Sequence, residues 1–407
     1  MKIKLVFEIG VIGDFHHSQA GLYRVADELL KQFSTNKEVE LHYSLFAHFR
    51  SKTTTKDVER ILNAKEINIR SVNSRKRILF LPFRKEKLFK FLYKKLGISD
   101  YVINENSILN KAQIYHTPYY PIPKELNKYK NLKKVITVHD LIPIIFPNYN
   151  SDKILMDEIF ESISSDDYVI CVSENTKKDL LEIVPKINPN NVFVSLLAAS
   201  PKIFHVCEDK EKFRDLQQKY HLPNKYFLGL STLEPRKNID HVINCFVRTI
   251  TENNIDDLSL VLVGSKGWDY EKIFEAHENS EKLKAKILIL GRVPDEDLAT
   301  IYSNASAFFY MSFYEGFGLP PLEAMQCGVP VVVSNNSSLP EVVGDAGILL
   351  NPTDKNMLCQ TMFELYKNKE LRAKLSKKSL AKSKEFSWQK TMNQHLAIYK
   401  KILNTEI

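Results

Sequence analysis

The stretch Glu315-Gly316-Phe317-Gly318-Leu319-Pro320-Pro321-Leu322-Glu323 joins a predicted strand to a predicted helix. The apolar run Ala307–Met311 before it predicts a buried strand, and Leu319–Cys327 has the character of a following helix. Gly316 and Gly318 leave backbone N–H groups uncovered at the helix start, where the helix dipole favours a negatively charged or oxygen-rich ligand. The stretch therefore predicts an α/β fold with Glu315 at the strand end and Glu323 about two turns further, on the same side of the helix.

Short apolar runs alternate with helical patterns along the whole chain, which is typical of parallel α/β sheets. The predicted strands of the first half are Lys2–Glu8, Glu40–Leu45, Arg77–Leu81, Gln113–His116, Lys134–Val138, Asp167–Val172 and Asn191–Val194. Those of the second half are Tyr226–Leu230, Ser259–Val263, Lys286–Leu290, Ala307–Met311, Pro330–Ser334 and Gly347–Leu350. The motifs described below follow these strands, so they are expected at the carboxyl ends of two sheets, where ligands bind in such folds.

A chain of 407 residues is too long for one ordinary core and suits two domains of about 200 residues each. Strand character is lost over Leu197–His221, which predicts the linker. We therefore expect one domain over residues 1–200 and a second over residues 201–385. The tail, residues 386–407, carries an apolar stripe at helical spacing, formed by Trp388, Met392, His395, Tyr399 and Ile402.

The composition, 44% hydrophobic and 26% charged, is that of a soluble globular protein. No apolar run approaches the roughly 18 residues of a membrane-spanning helix. The start, Met1–Ile9, is interpreted as a first buried strand rather than a signal peptide, because it carries Glu8 and is not followed by a small-residue cleavage site. The five scattered cysteines lack metal-type spacing, which favours reduced thiols in a cytoplasmic protein.

One segment accounts for the net charge of +8. Between Arg70 and Lys95 lie ten Lys or Arg residues and one acid, Glu86, so this segment carries +9 and the remainder about −1. Basic residues flank aromatic and aliphatic ones over residues 70–96, which suits an anionic membrane surface. The alternative is that its apolar residues belong to the core and its cations are solvated. No nucleic-acid partner is expected.

Arg236 and Lys237 follow the predicted strand Tyr226–Leu230. A planar guanidinium fork beside an ammonium group suits two phosphates that share one site. On the other half, His139 and Asp140 end the strand Lys134–Val138, and Ser173 is a predicted helix N-cap. Gly21 opens the first long helix and can bring its backbone close to a phosphate or sugar.

Together these stretches resemble the retaining glycosyltransferases of the GT-B fold, in particular glycosyltransferase family 4. Glu315 and Glu323 match the E-x(7)-E motif of that family. The resemblance implies two doubly wound Rossmann-like domains facing across a cleft, the first on the acceptor side, the second binding the nucleotide-sugar donor, and the last helix packing back on the first. Other matching stretches, in the family's order, are Val138-His139-Asp140-Leu141, Val172-Ser173-Glu174-Asn175-Thr176, Ser231-Thr232-Leu233-Glu234-Pro235-Arg236-Lys237-Asn238, Leu262-Val263-Gly264-Ser265-Lys266-Gly267-Trp268 and Leu290-Gly291-Arg292-Val293.

The resemblance also implies roles for single residues. Glu315, His139 and Lys237 would be catalytic: Glu315 would balance charge at an oxocarbenium-like transition state, and His139 would reach the donor sugar. The leaving diphosphate would itself accept the acceptor's proton, with retention of configuration. No metal or other cofactor is expected, because no D-x-D motif ends a strand in the cleft. The donor-binding residues would be Arg236, Lys237, Gly21, Gly264, Arg292, Val293, Phe317, Gly318, Leu319 and Glu323, of which Glu323 would hold the ribose.

The motif pattern is most similar to mannosyl- and rhamnosyltransferases, so we expect a hexosyltransferase of surface polysaccharide biosynthesis, for example of lipopolysaccharide. Mannose from GDP-mannose is the first expectation, and rhamnose or another sugar from a dTDP- or UDP-sugar is the second. The acceptor would be a glycan or a lipid-linked acceptor, and the protein would be cytoplasmic or peripheral at the inner face of the cytoplasmic membrane. Two alternatives stay open: a sugar-nucleotide epimerase of the same fold and a non-catalytic carbohydrate-binding protein. A hydride-transfer enzyme is disfavoured, since no G-x-G-x-x-G fingerprint occurs.

Overall fold

The computed structural model of the chain describes residues 2–15, 21–46, 55–75, 101–147 and 153–404. Two parallel sheets form its centre, one in each half of the chain, and helices connect their strands. The predicted α/β class with two doubly wound sheets is confirmed. Among the described residues, no helix combines the length and the hydropathy that crossing a bilayer requires.

The strands of the first half are β1 (Ile3–Glu8), β2 (Val39–Ser44), β3 (Arg70–Ser71), β4 (Asn73–Arg75), β5 (Tyr101–Ile103), β6 (Ile114–Thr117), β7 (Lys133–Val138), β8 (Tyr168–Cys171) and β9 (Val192–Val194). Seven of them form a parallel sheet in the order β3-β2-β1-β6-β7-β8-β9, while β4 and β5 pair antiparallel beside it. β1 and β6 are almost completely buried, as expected for aliphatic strands of a parallel sheet that is covered on both faces.

The second half contributes β10 (Tyr226–Leu230), β11 (Ser259–Val263), β12 (Ile287–Gly291), β13 (Ala307–Tyr310), β14 (Val331–Ser334) and β15 (Ile348–Leu350). They form a parallel sheet in the order β12-β11-β10-β13-β14-β15. β13 and β14 are buried at every position, which agrees with their continuous apolar sequences.

The helices of the described residues begin and end as follows: α1 (Gly10–Phe15), α2 (Gly21–Thr35), α3 (Thr55–Ala64), α4 (Asn106–Lys111), α5 (Ile142–Ile145), α6 (Lys153–Ser162), α7 (Glu174–Ile183), α8 (Lys210–Tyr220), α9 (Ile239–Glu252), α10 (Glu271–Glu278), α11 (Asp295–Ser303), α12 (Leu319–Gln326), α13 (Leu339–Val343), α14 (Lys355–Lys367), α15 (Lys369–Ser383) and α16 (Trp388–Ile402). The apolar stripes of α2 and α9 are buried, because each helix packs one face on its sheet.

Most predicted strands are present, with ends that differ by at most one residue. The predicted strand Arg77–Leu81 and residues 76–96 of the basic segment lie outside the described residues. The predicted linker over Leu197–His221 contains no strand, α8 occupies its second half, and its role as a linker stays a prediction. That helix is polar and buries only Leu216, so it lacks the stripe by which α2 and α9 are recognised.

The C-terminal helix α16 lies against α2 and the first sheet. Its Tyr399 hydroxyl is 2.6 Å from His116 Nδ1 at the end of β6, and Ser195 Oγ is 3.0 Å from His395 Nδ1. The predicted apolar stripe of this helix is buried throughout. The domain boundaries at residues 200 and 385 stay a prediction.

Candidate active site

In each sheet there is one strand from which the chain connections run to opposite sides of the sheet. In the first sheet β1 lies between β2 and β6, and in the second sheet β10 lies between β11 and β13. Loops diverge at such points and leave a crevice at the carboxyl ends of the strands. In the second sheet these are the loop after β10, with Arg236 and Lys237, and the loop after β13, with Glu315. The topology therefore brings together two motifs that are far apart in sequence.

The Glu315 carboxylate is the centre of this arrangement. Its Oε1 accepts hydrogen bonds from Lys237 Nζ at 2.5 Å, Ser312 Oγ at 2.6 Å and the Tyr310 hydroxyl at 2.9 Å. Arg236 Nη1 lies 3.0 Å from the same oxygen. Burial by itself raises the pKa of Glu315, but Arg236 and Lys237 outweigh burial and lower the pKa to about 2. The carboxylate is therefore ionised at neutral pH.

The two cations reach Glu315 because they lie on a tight turn that is tied to the neighbouring loop. Residues Pro235–Lys237 form a 3-10 turn, and Asn238 ends it in the left-handed conformation with φ 56°. The Asn238 side chain donates to the carbonyls of Met311 and Pro352, at 3.1 and 2.8 Å. Arg236 also donates to Glu234 at 2.6 Å. In this structure both cations are therefore neutralised by carboxylates of the chain.

The start of α12 offers backbone donors next to Glu315. Gly318 has φ 114°, a conformation that side chains rarely adopt, and it turns the chain into the helix. Within the described residues the N–H groups of Phe317, Gly318 and Leu319 have no hydrogen-bond partner. Ser338 Oγ donates to the carbonyls of Glu315 and Phe317 and thereby fixes the loop. Three N–H groups are thus available to an anion or to sugar hydroxyls.

Glu323 lies about one turn into α12, rather than the predicted two, because only Leu319–Leu322 precede it in the helix, which begins where the sequence predicts. Its Oε2 accepts from the Tyr302 hydroxyl at 3.1 Å, and its Oε1 accepts from Arg24 Nη1 at 3.2 Å. Arg24 belongs to α2 beside the first sheet, and its Nη2 also pairs with Asp295 at 2.5 Å. Burial raises the pKa of Glu323 to about 6, although Arg24 and the Tyr302 hydroxyl act in the opposite direction.

His139 directly follows β7 of the first sheet and lies opposite the Glu315 loop. A Cβ atom on Gly316 would come within 1.9 Å of the His139 carbonyl oxygen, so only glycine fits there. His139 Nε2 donates to the Pro118 carbonyl at 2.8 Å, and burial lowers the pKa of His139. The ring is therefore neutral, with its proton on Nε2.

The start of α7, in the first half of the chain, also contacts the loop that carries Glu315 and Gly316. Ser173 caps the helix by accepting from the Thr176 N–H at 3.0 Å, as the sequence predicts. Ser173 Oγ also donates to the Gly316 carbonyl at 2.7 Å. The Glu341 carboxylate accepts from the Glu174 N–H, and the Tyr314 hydroxyl bonds to Asp179. The two halves are thus joined beside Glu315 and not only by the connecting chain.

The remaining predicted donor-binding residues lie in two groups, one at the start of α2 and one at the ends of β11 and β12. Gly21 opens α2 opposite Leu319, since a Cβ atom on Gly21 would lie 3.6 Å from Leu319 Cδ1. Gly264 follows β11, donates its N–H to the Gly291 carbonyl at 2.8 Å, and lines a cavity of about 570 Å³ together with Gly291. After Gly291, Arg292 is exposed and Val293 is buried. The structure does not bring these residues into contact with Glu315.

Four side chains of the site were missed by the sequence analysis: Tyr310, Ser312, Tyr302 and Asp295. Tyr310 and Ser312 lie within five residues of Glu315 on the same strand end, so their spacing from Glu315 could have suggested them. Tyr302 and Asp295 reach Glu323 and Arg24 only through folding. Among the described residues, no three His, Cys, Asp or Glu side chains are grouped closely enough to hold a metal ion.

Comparison with known proteins assigns the chain to a family. Residues 210–382 match the family described as "Glycosyl transferases group 1", and residues 120–183 match "Glucosyltransferase 3-like, N-terminal domain". The chain is 34% identical over 294 residues to "O-antigen chain mannosyltransferase B" of Escherichia coli, covering 71% of this chain and 74% of that protein. The chain belongs to the group 1 glycosyl transferases. The family resemblance expected from the motifs is thereby confirmed.

Two further comparisons place this transferase. It is 29% identical over 274 residues to "Serotype-specific mannosyltransferase WbdA" of Escherichia coli, covering 65% of this chain but only 33% of that longer protein. Its fold is similar to that of a sucrose-phosphate synthase from Thermosynechococcus elongatus, with a TM-score of 0.71 and 18% identity over the whole of both chains. At that identity the likeness concerns the fold alone, which is the expected GT-B arrangement of two α/β domains. The roles of the individual site residues stay a prediction.

Proposed function

We propose that this transferase moves a hexose, with retention of configuration, from a nucleoside-diphosphate donor to a glycan or lipid-linked acceptor during synthesis of a surface polysaccharide. Mannose from GDP-mannose is the first donor we propose. The support is that two of the relatives are named as mannosyltransferases and one of them as acting on an O-antigen chain. Rhamnose or another sugar from a dTDP- or UDP-sugar is the second choice.

One observation carries the proposal: Glu315, Arg236 and Lys237 meet at the carboxyl end of the second sheet, beside three N–H groups that have no partner among the described residues. A sugar diphosphate needs fixed cations and N–H donors, and hydrogen bonds to charged groups contribute about 1.5–3 kcal/mol each. In the proposed reaction Arg236 and Lys237 bind the leaving diphosphate, and Glu315 faces the reacting sugar. An ionised carboxylate there stabilises the positive charge that develops on the anomeric carbon.

We propose that the two halves of the chain bind different substrates. We assign residues 201–385 to the donor, with Glu323 on the ribose and Gly264, Arg292 and Val293 around the base. Residues 1–200 serve the acceptor, and Gly21 approaches the diphosphate across the cleft. His139 reaches the donor sugar from the first sheet. The support for this role is that His139 lies against Gly316, next to Glu315.

We also propose a peripheral position at the cytoplasmic face of an anionic membrane, through the basic segment 70–96. The support is its local charge of +9 in a chain of net charge +8. Charge reversal at Arg84, Lys85 and Lys87 should abolish sedimentation with anionic vesicles and leave nucleotide binding intact. Sedimentation that survives this reversal would count against the segment as the membrane contact.

The proposed function is tested by nucleotide binding followed by transfer. Thermal shifts with GDP, UDP, dTDP and ADP identify the base, and the matching sugar nucleotide is then assayed for transfer. Glu315→Gln should lower turnover by on the order of 100-fold while the Kd for the nucleoside diphosphate changes little, since its contact strengthens in the transition state. Glu252→Gln, at an exposed carboxylate on α9, is the matched control.

Two results would overturn the proposed function. If none of the four nucleotides binds, the site is not a nucleotide-sugar site. If the donor alone is converted to an isomerised sugar nucleotide and no acceptor is glycosylated, the chain is an epimerase of the same fold.

A further inference from the structure

The Glu315 carboxylate is held by only one of its two oxygens. Its Oε1 lies within hydrogen-bond distance of four donors, which are Lys237 Nζ, Arg236 Nη1, the Tyr310 hydroxyl and Ser312 Oγ. The other oxygen, Oε2, has no hydrogen-bond partner among the residues that the structure describes. Two of the four donors are cations, which in the proposed reaction also bind the leaving diphosphate. The orientation of Oε2 then depends on the two hydroxyl groups.

The Tyr310 hydroxyl is the better placed of the two. Ser312 Oγ has a single proton, and it lies within reach of Glu315 Oε1 and of two backbone carbonyls at 3.2 Å each. In the described part of the chain, the Tyr310 hydroxyl has Glu315 Oε1 as its only acceptor, at 2.9 Å. It also accepts a hydrogen bond from Lys237 Nζ at 2.8 Å. A single oxygen of Tyr310 therefore connects Lys237 with Glu315.

The ring of Tyr310 is fixed by packing. Tyr310 is the last residue of β13, is buried, and stacks on Phe308 two positions earlier, with 6.0 Å between the ring centres. Phe308 in turn packs against Tyr302, with 5.5 Å between the ring centres. Lys237 Nζ also lies 5.2 Å from the centre of the Tyr310 ring, within the range of a cation–π contact. A packed ring on a buried strand holds its hydroxyl group in one position.

The electrostatic surroundings show what this hydroxyl contributes to Lys237. Burial and the neighbouring Arg236 lower the pKa of Lys237, whereas Glu315 and Glu234 act in the opposite direction. A hydroxyl oxygen that accepts a hydrogen bond from the ammonium favours the charged form of Lys237. Burial and the Glu315 carboxylate raise the pKa of Tyr310 well above its usual range, so the hydroxyl itself stays protonated.

We propose that Tyr310 is a positioning residue of the transfer reaction, whose hydroxyl holds Glu315 with Oε2 towards the reacting sugar and Lys237 towards the leaving diphosphate. The Lys237 ammonium has three protons, of which one goes to Glu315 and one to Tyr310, so the third is available to a phosphate oxygen. Tyr310 acts through these two residues and does not itself contact the substrate. The inference rests on the proposed function, because it presupposes a sugar diphosphate at this site.

The test removes the hydroxyl group alone. Tyr310→Phe keeps the ring and its packing, and it should lower turnover by about tenfold or more, since Glu315 is held less firmly at the reacting centre. Turnover is measured as release of the nucleoside diphosphate from the sugar nucleotide. The Kd for the nucleoside diphosphate at pH 7 should change less than turnover, because both cations remain in the site. Tyr226→Phe is the matched control, since this buried tyrosine begins β10, at the opposite end of the sheet, and its hydroxyl donates to the Ile301 carbonyl at 2.6 Å.

The pH dependence of nucleotide binding separates this role from an effect on packing. Calorimetric titration with the nucleoside diphosphate between pH 7 and pH 10 follows the loss of affinity as Lys237 gives up its proton. Without the hydroxyl the ammonium is less stabilised, so affinity should be lost at a lower pH in Tyr310→Phe than in the wild type or in Tyr226→Phe. Ser312→Ala should lower turnover without this change, because within the described chain Ser312 does not contact Lys237. In a Lys237→Arg background the effect of Tyr310→Phe on the pH profile should vanish, since arginine does not titrate in this range.

Three results would overturn the inference. The first is wild-type turnover in Tyr310→Phe. The second is lower turnover with the pH profile of the wild type, which would show that the hydroxyl matters only for packing. The third is an equal effect of Tyr226→Phe on both measurements, which would show that any buried tyrosine hydroxyl of this sheet has the same effect. If the wild type binds none of the four nucleotides, the proposed function itself is overturned, which is a different result.

Discussion

Arg24 and Glu323 show how one ion pair links the two halves at the residue scale. The sequence analysis assigned Glu323 to the ribose, and in this structure Arg24 of α2 occupies one of its oxygens. Arg24 also bonds to Asp295, and its guanidinium lies 5.5 Å from the centre of the Phe204 ring. An arginine held by two carboxylates and a ring keeps α2 close to α12, between which we propose that the donor binds.

The first prediction concerns the pH dependence of donor binding. The pKa of Glu323 is about 6, so the carboxylate protonates and its ribose contact weakens as the pH falls through 6. Arg24→Gln removes a charge that lowers this pKa, so the weakening should begin at a higher pH. Calorimetric titration with the nucleoside diphosphate between pH 5 and pH 8 measures this shift.

The phosphate group of the nucleotide also titrates near pH 6, so the comparison must be made between variants. In a Glu323→Gln background, the Arg24→Gln change should no longer alter the shape of the profile. A difference between the profiles that persists in this background would show that another group is responsible.

The loop after β13 is the decisive element, because it contacts both halves of the chain. Glu315 faces the cations after β10, and Gly316 faces the end of β7. Ser173 and Thr176 at the start of α7 donate to the Gly316 carbonyl. Two consecutive residues, Glu315 and Gly316, therefore contact the loops of both sheets.

The second prediction follows from the space at Gly316. Gly316→Ala places a Cβ atom 1.9 Å from the His139 carbonyl oxygen and 2.8 Å from Asp140 Cβ, so the loops must move apart. We expect turnover to fall by about 100-fold, since a displacement of about 1 Å at a reacting centre has that effect. Nucleotide affinity should change less, because the proposed cation and ribose contacts lie elsewhere.

Gly21→Ala is the comparison for this variant, because its Cβ atom would lie 3.6 Å from Leu319, an ordinary contact distance that moves no loop. Since Gly21 is proposed to approach the diphosphate, this variant should mainly weaken nucleotide binding. If Gly316→Ala also acts mainly on nucleotide affinity, the clash with β7 is not the cause of its lower turnover.

At the scale of the whole molecule, α16 completes the first half of the chain although it comes last in the sequence. Its buried histidine, His395, lies among His116, Tyr399 and Phe33. Burial lowers the pKa of His395 to about 4, and burial and the other histidines lower that of His116 well below its usual value. His395 and His116 are therefore neutral where α16 packs against the first sheet.

The third prediction concerns stability in acid. The pKa of His395 is depressed in the folded state, so its contribution is fully present above about pH 6.5, the unfolded value, and is lost as the pH falls towards 4. His395→Asn should reduce the pH dependence of the free energy of unfolding by up to about 1.4 kcal/mol per pH unit in this range. Urea unfolding followed by circular dichroism measures it.

His221→Asn serves as the control, because His221 is exposed and its left-handed backbone, φ 55°, suits asparagine. The slope of stability with pH should be the same in this variant as in the wild type. An unchanged slope in His395→Asn would show that His395 does not bind its proton differently on unfolding.

The sequence by itself determined the two sheets, their strands and most of the loops that carry Glu315, Lys237 and His139. It could do so because buried parallel strands are continuous apolar runs, and such runs are local in the chain. The short strands β3, β4 and β5 were not predicted, since two or three residues show no periodicity.

The tertiary structure alone decided which side chains share a site. The order of the strands places β13 beside β10 and so brings Lys237 to Glu315, and the packing of α2 brings Arg24 to Glu323. The sequence contains no local signal of either contact, because each joins residues that are many positions apart. The pKa values of about 2 for Glu315 and about 6 for Glu323 arise from this placement, since identical carboxylates differ only in burial and in the charges around them.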